Sequence, residues 1–185
     1  MVGEHQIDNA VTALAAIEIL RKNSIISIKR PELDEGMKRA FQIGRFEIMG
    51  RGGRYILDGA HNRDGMESLV KTMDDVMHGE KCVVIIGILA DKAVDDILDM
   101  AMYLSDTFIA VEPDNDRRLS KETLCEKIKE RGAKCTIARD AADALGKAES
   151  EGCRIVCTGS LYLIGEIRRL IRDVKCTKNQ GPALL

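Results

Sequence analysis

The chain has 185 residues, 45% of them hydrophobic and 31% charged, which suits one domain with a sizeable core and is too apolar for a disordered chain. A net charge of -2, with three Phe, three Tyr and no Trp, supplies neither a basic surface nor base-stacking platforms and argues against nucleic-acid or acidic-membrane partners. The six cysteines form no CxxC pair and no zinc spacing; without a signal peptide or an apolar run near ~18 residues, the expectation is a reduced, cytoplasmic protein.

In chain order, "IDNAVTALAAIEILRK" spaces Ile7, Ala10, Val11, Leu14 and Ile17 at helical period, with Asp8 placed to cap or charge the first turn. Residues 1–26 therefore predict one long amphipathic helix with no sheet of its own. It either docks on the later part of the chain or marks the edge of a larger domain. Pro31 predicts the first turn of a second short helix within the connecting segment 27–43. The strands "RFEIM" and "RYILD" then flank "GRGG", whose glycines allow the positive φ of a tight hairpin.

From residue 54 the pattern becomes regular. Helices near 64–77, 93–104, 120–131, 140–149 and 161–174 alternate with the strand-like runs "KCVVIIGI", "TFIAV", "KCTIA" and "RIVCTG". Cys82, Cys135 and Cys157 fall in or beside these runs, where a thiol acts as a small buried hydrophobe. Such alternation predicts right-handed βαβ units and a mostly parallel sheet, to which the hairpin adds one antiparallel strand. His78 reads as a helix cap, and "CTKNQGPALL", 176–185, as a frayed tail.

Ligands of open α/β sheets bind beyond the carboxyl ends of the strands. Four stations lie there: Asp58-Gly59-Ala60-His61-Asn62, Gly87 with "ILADK", Glu112-Pro113-Asp114, and Thr158-Gly159-Ser160-Leu161-Tyr162. Asp58 can accept from a ribose hydroxyl, His61 can meet a nucleotide or a carboxylate, and Asn62 offers an amide. Asp58 and Asn62 could equally cap the helix that follows, and Ser160 could be a plain N-cap or help hold an anion at a helix start. Arg45, in "GRFE", could reach a phosphate or simply sit solvated. His5, Gln6 and Asn9 share a face of the first helix. The sequence holds no GxxxxGK[ST] loop, no GxGxxG after a strand and no GxSxG.

"GEHQIDNAVTALAAIEIL", "GRFEIM…YILDGAHNRDGMESL", "IGILADK" and "TGSLYLIGEIR" occur in this order over residues 3–175. Together they resemble the carboxy-terminal third of folylpolyglutamate synthase/dihydrofolate synthase, in the Mur ligase superfamily. The resemblance implies a Rossmann-like carboxy-terminal α/β domain over 44–175, of about six strands with helices on both faces, preceded by the last helix of a truncated central ATP-binding domain. It implies an ATP-dependent amide ligase that makes an acyl phosphate on a folate or dihydropteroate carboxylate for attack by L-glutamate. Mg2+ and the phosphate loop would belong to the domains that precede these residues, and no metal ligand is assigned here.

By motif, Asn9 resembles an adenine contact, Arg45 a phosphate contact, Asp58 a ribose contact, His61 a residue near nucleotide and glutamate, and Ser160 a glutamate contact; Asn62 is expected to bind substrate through its amide. Gln42-Ile43 stands where the family usually has Trp-Pro, and Arg63 where it usually has Pro. The chain alone is expected to show no ligase turnover. Two alternatives remain: a Mur-type ligase for another acyl acceptor, and a free-standing binding module.

Overall fold

The structure, a computed structural model, describes residues 2–178; residues 1 and 179–185, and the side chains of His5 and 174–178, lie outside it. The expected tail at 176–185 thus falls largely outside the described residues, while the last helix runs on to Lys178. The chain divides into two compact units, one ending at Ile43 and one beginning at Gly44.

The first unit holds α1 (Glu4–Lys22) and α2 (Arg30–Arg39). α1 starts earlier than Asp8 implied: Asp8 lies in the second turn, where its carbonyl accepts from Thr12 Oγ1 at 2.9 Å. Nor does α1 carry one apolar stripe. Ile7 and Ile19 are both exposed (64% and 59%), yet twelve positions at helical pitch set them about 120° apart around the axis. Segment 27–43 is half helical: Pro31 sits in the first turn of α2, and Glu32 accepts from Lys29 N at 2.9 Å.

The second unit runs β1 (Glu47–Met49), β2 (Tyr55–Leu57), α3 (Arg63–Met77), β3 (Cys82–Ile86), α4 (Val94–Ala101), β4 (Thr107–Ala110), α5 (Lys121–Glu130), β5 (Lys134–Ile137), α6 (Ala141–Ser150), β6 (Arg154–Thr158) and α7 (Leu161–Lys178). The six strands order as β1-β2-β6-β3-β4-β5, with β1 alone antiparallel, Glu47 opposite Leu57. Gly50, Gly52 and Gly53, at φ 81, 66 and 68, turn the hairpin as the sequence predicted. His78 ends α3 in the left-handed region (φ 48), its N–H bonded to Asp74 O.

Connection handedness explains the layers. The steps β2 to β3, β3 to β4 and β4 to β5 all move one way across the sheet, so right-handed crossovers put α3, α4 and α5 on one face. The return step, β5 to β6, moves the other way and sends α6 to the opposite face, where it packs with α7. Val83, Ile85, Ile155 and Cys157 point to that side against Ala144, Ala148, Leu163 and Ile167. By alternation, Val84 and Ile86 point to the other side. Both faces are covered, which is why β3 reads as the unbroken apolar run Cys82–Ile86.

The thiols follow from this burial. Desolvation pushes the Cys82 thiol up to about 11 and Cys135 up to about 12, and raises Cys157 as well. At pH 8 Cys82 is then about one part in a thousand thiolate. Iodoacetamide mapped by mass spectrometry is expected to label half-buried Cys153 first among the cysteines whose side chains are described, and to leave Cys82, Cys135 and Cys157 unmodified until the chain unfolds. Labelling of Cys157 at the rate of Cys153 would contradict this packing.

Candidate functional site

The strand order creates the crevice. β2 and β6 are neighbours, but the helices that follow them leave for opposite faces of the sheet, so the loops beyond their carboxyl ends part around a gap. Backbone bonds carry the pairing into those loops: Asp58 N to Cys157 O (3.0 Å), Gly159 N to Ala60 O (2.9 Å) and Gly87 N to Thr158 O (3.4 Å). Three of the four stations are thereby laced together. Two glycines permit the close approach. A Cβ on Gly87 would lie 2.5 Å from Val111 O, and one on Gly159, already at φ 96, would lie 2.8 Å from Gly87 O.

The remaining polar residues at the edge serve internal bonds. Asp91 pairs with Arg117 at 3.0 Å and with Lys92 at 3.5 Å. Glu112 accepts from Arg118 Nε at 3.1 Å, and Asp114 N–H donates to Glu166 Oε1 at 3.0 Å. These bonds shape the rim, and Asp91 and Lys92 precede α4 rather than begin it.

The "GRFE" turn lies directly on the first station. Gly44 sits at φ 69; its N–H donates to Glu47 Oε2 (3.2 Å) and its carbonyl accepts from Gly59 N (2.8 Å). Phe46 adopts a left-handed φ of 45 that is costly for a non-glycine residue. Burial of its ring (4% exposed) and a 2.8 Å bond from its N–H to Asp58 Oδ2 hold it there. Glu47, 6% exposed, accepts from Arg168 Nε at 2.8 and 3.0 Å. Arg45 is the exception. Half-buried at the backbone end, it makes no hydrogen bond or ion pair among the described residues.

Asp58 is buried beneath this turn: Oδ2 accepts from Phe46 N and Oδ1 from Ala60 N at 2.9 Å. Its carboxylate therefore fastens the turn to the loop, a structural task that the sequence did not reveal. His61 Nδ1 lies 2.8 Å from Gly59 O, and since a carbonyl only accepts, Nδ1 carries the proton and Nε2 is left to face a partner. Asn62 caps α3, Oδ1 accepting from Gly65 N at 2.8 Å, which commits its oxygen and leaves its NH2. Ser160 is 2% exposed and accepts from Tyr162 N at 3.2 Å, in the plain N-cap manner. Leu161, half exposed, covers Gly59, where a Cβ would fall 2.2 Å from Leu161 Cδ2. Asn9 is exposed on α1, in the other unit, and the side chain of its neighbour His5 lies outside the described residues.

Arg45, Asp58, His61, Asn62 and Ser160 thus gather at one edge of one sheet. Sequence reading missed Glu47 and Arg168, which join across 121 positions. The only signal was a glutamate two residues after Arg45, in a strand that otherwise alternates toward solvent.

Residues 44–161 match the family model described as Mur ligase, glutamate ligase domain. The chain belongs to that family. The dihydrofolate synthase/folylpolyglutamate synthase of Bacillus subtilis is 29% identical over 175 residues, covering 93% of this chain and 40% of that protein. Among solved structures, folylpolyglutamate synthase from Thermotoga maritima is 35% identical with a TM-score of 0.76, covering 93% of this chain and 39% of that one. The Mycobacterium tuberculosis folylpolyglutamate synthase, solved with ADP and AMPPCP, is 28% identical with a TM-score of 0.82, covering 92% and 41%. The chain spans about two fifths of the length of these relatives.

The span matched to the Mur ligase glutamate ligase domain opens at the "GRFE" turn and closes at Leu161, so it encloses every gathered residue and leaves out Asn9. The sheet of this Mur ligase domain is the mostly parallel, six-stranded one expected, with its single antiparallel pair. Among the described residues no helix is long and apolar enough to cross a membrane.

Proposed function

We propose that this Mur ligase domain is the carboxy-terminal part of an ATP-dependent folate:glutamate amide ligase, a folylpolyglutamate synthase, a dihydrofolate synthase or both. The observation that carries the reading is Arg45: a guanidinium without a partner among the described residues, on a turn whose other three residues are tied down and which is bonded to the loop that carries His61. A free fork of five N–H donors held at that edge fits a phosphate brought by another domain.

In this reading the domain closes over ATP bound elsewhere. Arg45 meets the phosphates, Asp58 meets the ribose, and His61 presents Nε2 toward nucleotide and incoming glutamate. Asn62 contributes its NH2 to the glutamate, with Ser160 holding the helix start beside it, and Asn9 meets the adenine. Closure also keeps water from the acyl phosphate that glutamate must attack. Mg2+, implied by the resemblance, would neutralise phosphate charge. Among the described residues no group of three or more His, Cys, Asp or Glu converges to hold it, and no step is assigned to it here.

The test is an assay of the full-length gene product that contains this chain, with ATP, L-glutamate and either tetrahydrofolate or dihydropteroate, alongside peptidoglycan precursors. ADP release that requires glutamate and a pteridine substrate is expected. Turnover only with a different carboxylate substrate would replace the folate reading. The chain of 185 residues alone is expected to be inactive, and robust ligation by it would refute the two-domain scheme.

A further inference from the structure

Arg45 has no side-chain partner among the described residues, so what the fold fixes is the backbone from which its side chain departs, and with it the arc the guanidinium can reach. The peptides on either side are each held by a buried carboxylate: Gly44 N–H by Glu47 Oε2, and Phe46 N–H by Asp58 Oδ2. Glu47 is itself held by Arg168 of α7 through Nε contacts of 2.8 and 3.0 Å to its two oxygens. Both partners are largely withdrawn from water, their side chains 19% and 6% exposed.

A purely stabilising role would not call for this pair. A buried ion pair gains little over well-packed apolar side chains of the same size, because each charge must first be desolvated. An apolar pair could pin the three-residue edge strand β1 to α7 equally well. It could not accept the Gly44 N–H. That bond joins the ion pair to the residue before Arg45, and the same Gly44 carbonyl is bonded to Gly59 of the His61 loop.

We infer that Arg168 and Glu47 are a positioning pair for Arg45. Arg168 orients the Glu47 carboxylate, the carboxylate fixes the Gly44 peptide, and that peptide fixes where the Arg45 side chain leaves the turn. Arg168 touches no substrate. It acts from the helix whose first turn follows Ser160, so the two sides of the crevice keep a common register. The inference rests on the assignment of Arg45 to the phosphates of ATP.

The test is a double-mutant cycle in the full-length gene product. Arg168→Met is combined with Glu47→Met, so that no buried charge is left unpaired and the acceptor of the Gly44 N–H is removed, in both the Arg45 and the Arg45→Ala backgrounds. With Arg45 present, the paired replacement is expected to lower kcat about tenfold or more at saturating substrates and to leave the folate KM within about twofold. With Arg45→Ala it is expected to change kcat less than about twofold. Equal losses in both backgrounds would overturn the inference and leave the role of Arg45 intact. No loss from Arg45→Ala itself would overturn that role and the inference with it.

A second readout needs no turnover. In this chain the paired replacement is expected to speed hydrogen exchange at the Gly44 amide about tenfold or more, while the Ile85 amide is unchanged. Unaltered exchange at Gly44 would refute the coupling. Arg168→Lys keeps a cation on Glu47, so it stays folded if the paired variant does not, and it is expected to lose kcat in the Arg45 background only.

Discussion

Arg45→Ala is expected, on the proposed function, to lower the kcat of the full-length gene product by about 100- to 1,000-fold, or ~2.7–4 kcal/mol, the usual loss when one preorganised donor to developing charge is removed. The same substitution should leave the melting temperature of the domain unchanged, because the side chain makes no bond that folding relies on. This combination sets Arg45 apart from its neighbours: Gly44, Phe46 and Glu47 are fixed by turn geometry and buried bonds, so substitutions there cost stability first. Arg45→Lys keeps the charge but not the planar fork and should recover only part of the rate. Stopped-flow measurement of ADP formation alongside thermal unfolding decides the matter. A variant that melts early and loses rate in proportion would make Arg45 a structural residue.

Asp58→Ala should show the reverse profile. It removes the acceptor for two buried backbone N–H groups, Phe46 and Ala60, and each unsatisfied donor costs about 1–3 kcal/mol, so the chain is expected to lose about 2–6 kcal/mol in urea denaturation. Phe46 has a further reason to leave its place, since the bond to Asp58 helps hold it at φ 45. Asp58→Asn keeps one acceptor and turns an NH2 toward the other donor, so it should fall between. If Asp58 only met a ribose, neither variant would change unfolding by more than ~0.5 kcal/mol, the range of ordinary surface substitutions. Loss of nucleotide affinity in Asp58 variants therefore has to be read after correction for folding.

The legible and illegible parts of this molecule divide by the range of the interactions. Helix and strand positions in the second unit follow from local periodicity, and α3 and β3 lie within a residue or two of their predicted places. The hairpin was legible because only glycines take the φ values that it requires. α1 was misread where the same rule has least purchase: Ala10 and Ala15 count as apolar yet define no face, and Ile7, Val11 and Ile19 stay exposed around it. Local chemistry also left Asp58 and Asn62 open between cap and ligand contact. The structure shows Asn62 capping α3 and Asp58 bonding a turn twelve residues away.

By itself the sequence determined the class of fold, the edge of the sheet at which polar residues collect and, through its motifs, the family resemblance. All three rest on spacing along the chain, which burial and backbone sterics translate directly into elements. Only the tertiary structure decided the order of the strands, with β6 between β2 and β3, and hence where the crevice opens. It alone showed that Asp58 faces inward while Arg45 stands without a partner among the described residues, and that Arg168 reaches Glu47 across 121 positions. Contacts of that separation depend on which surfaces the crossovers bring together, and no local pattern of residues encodes them.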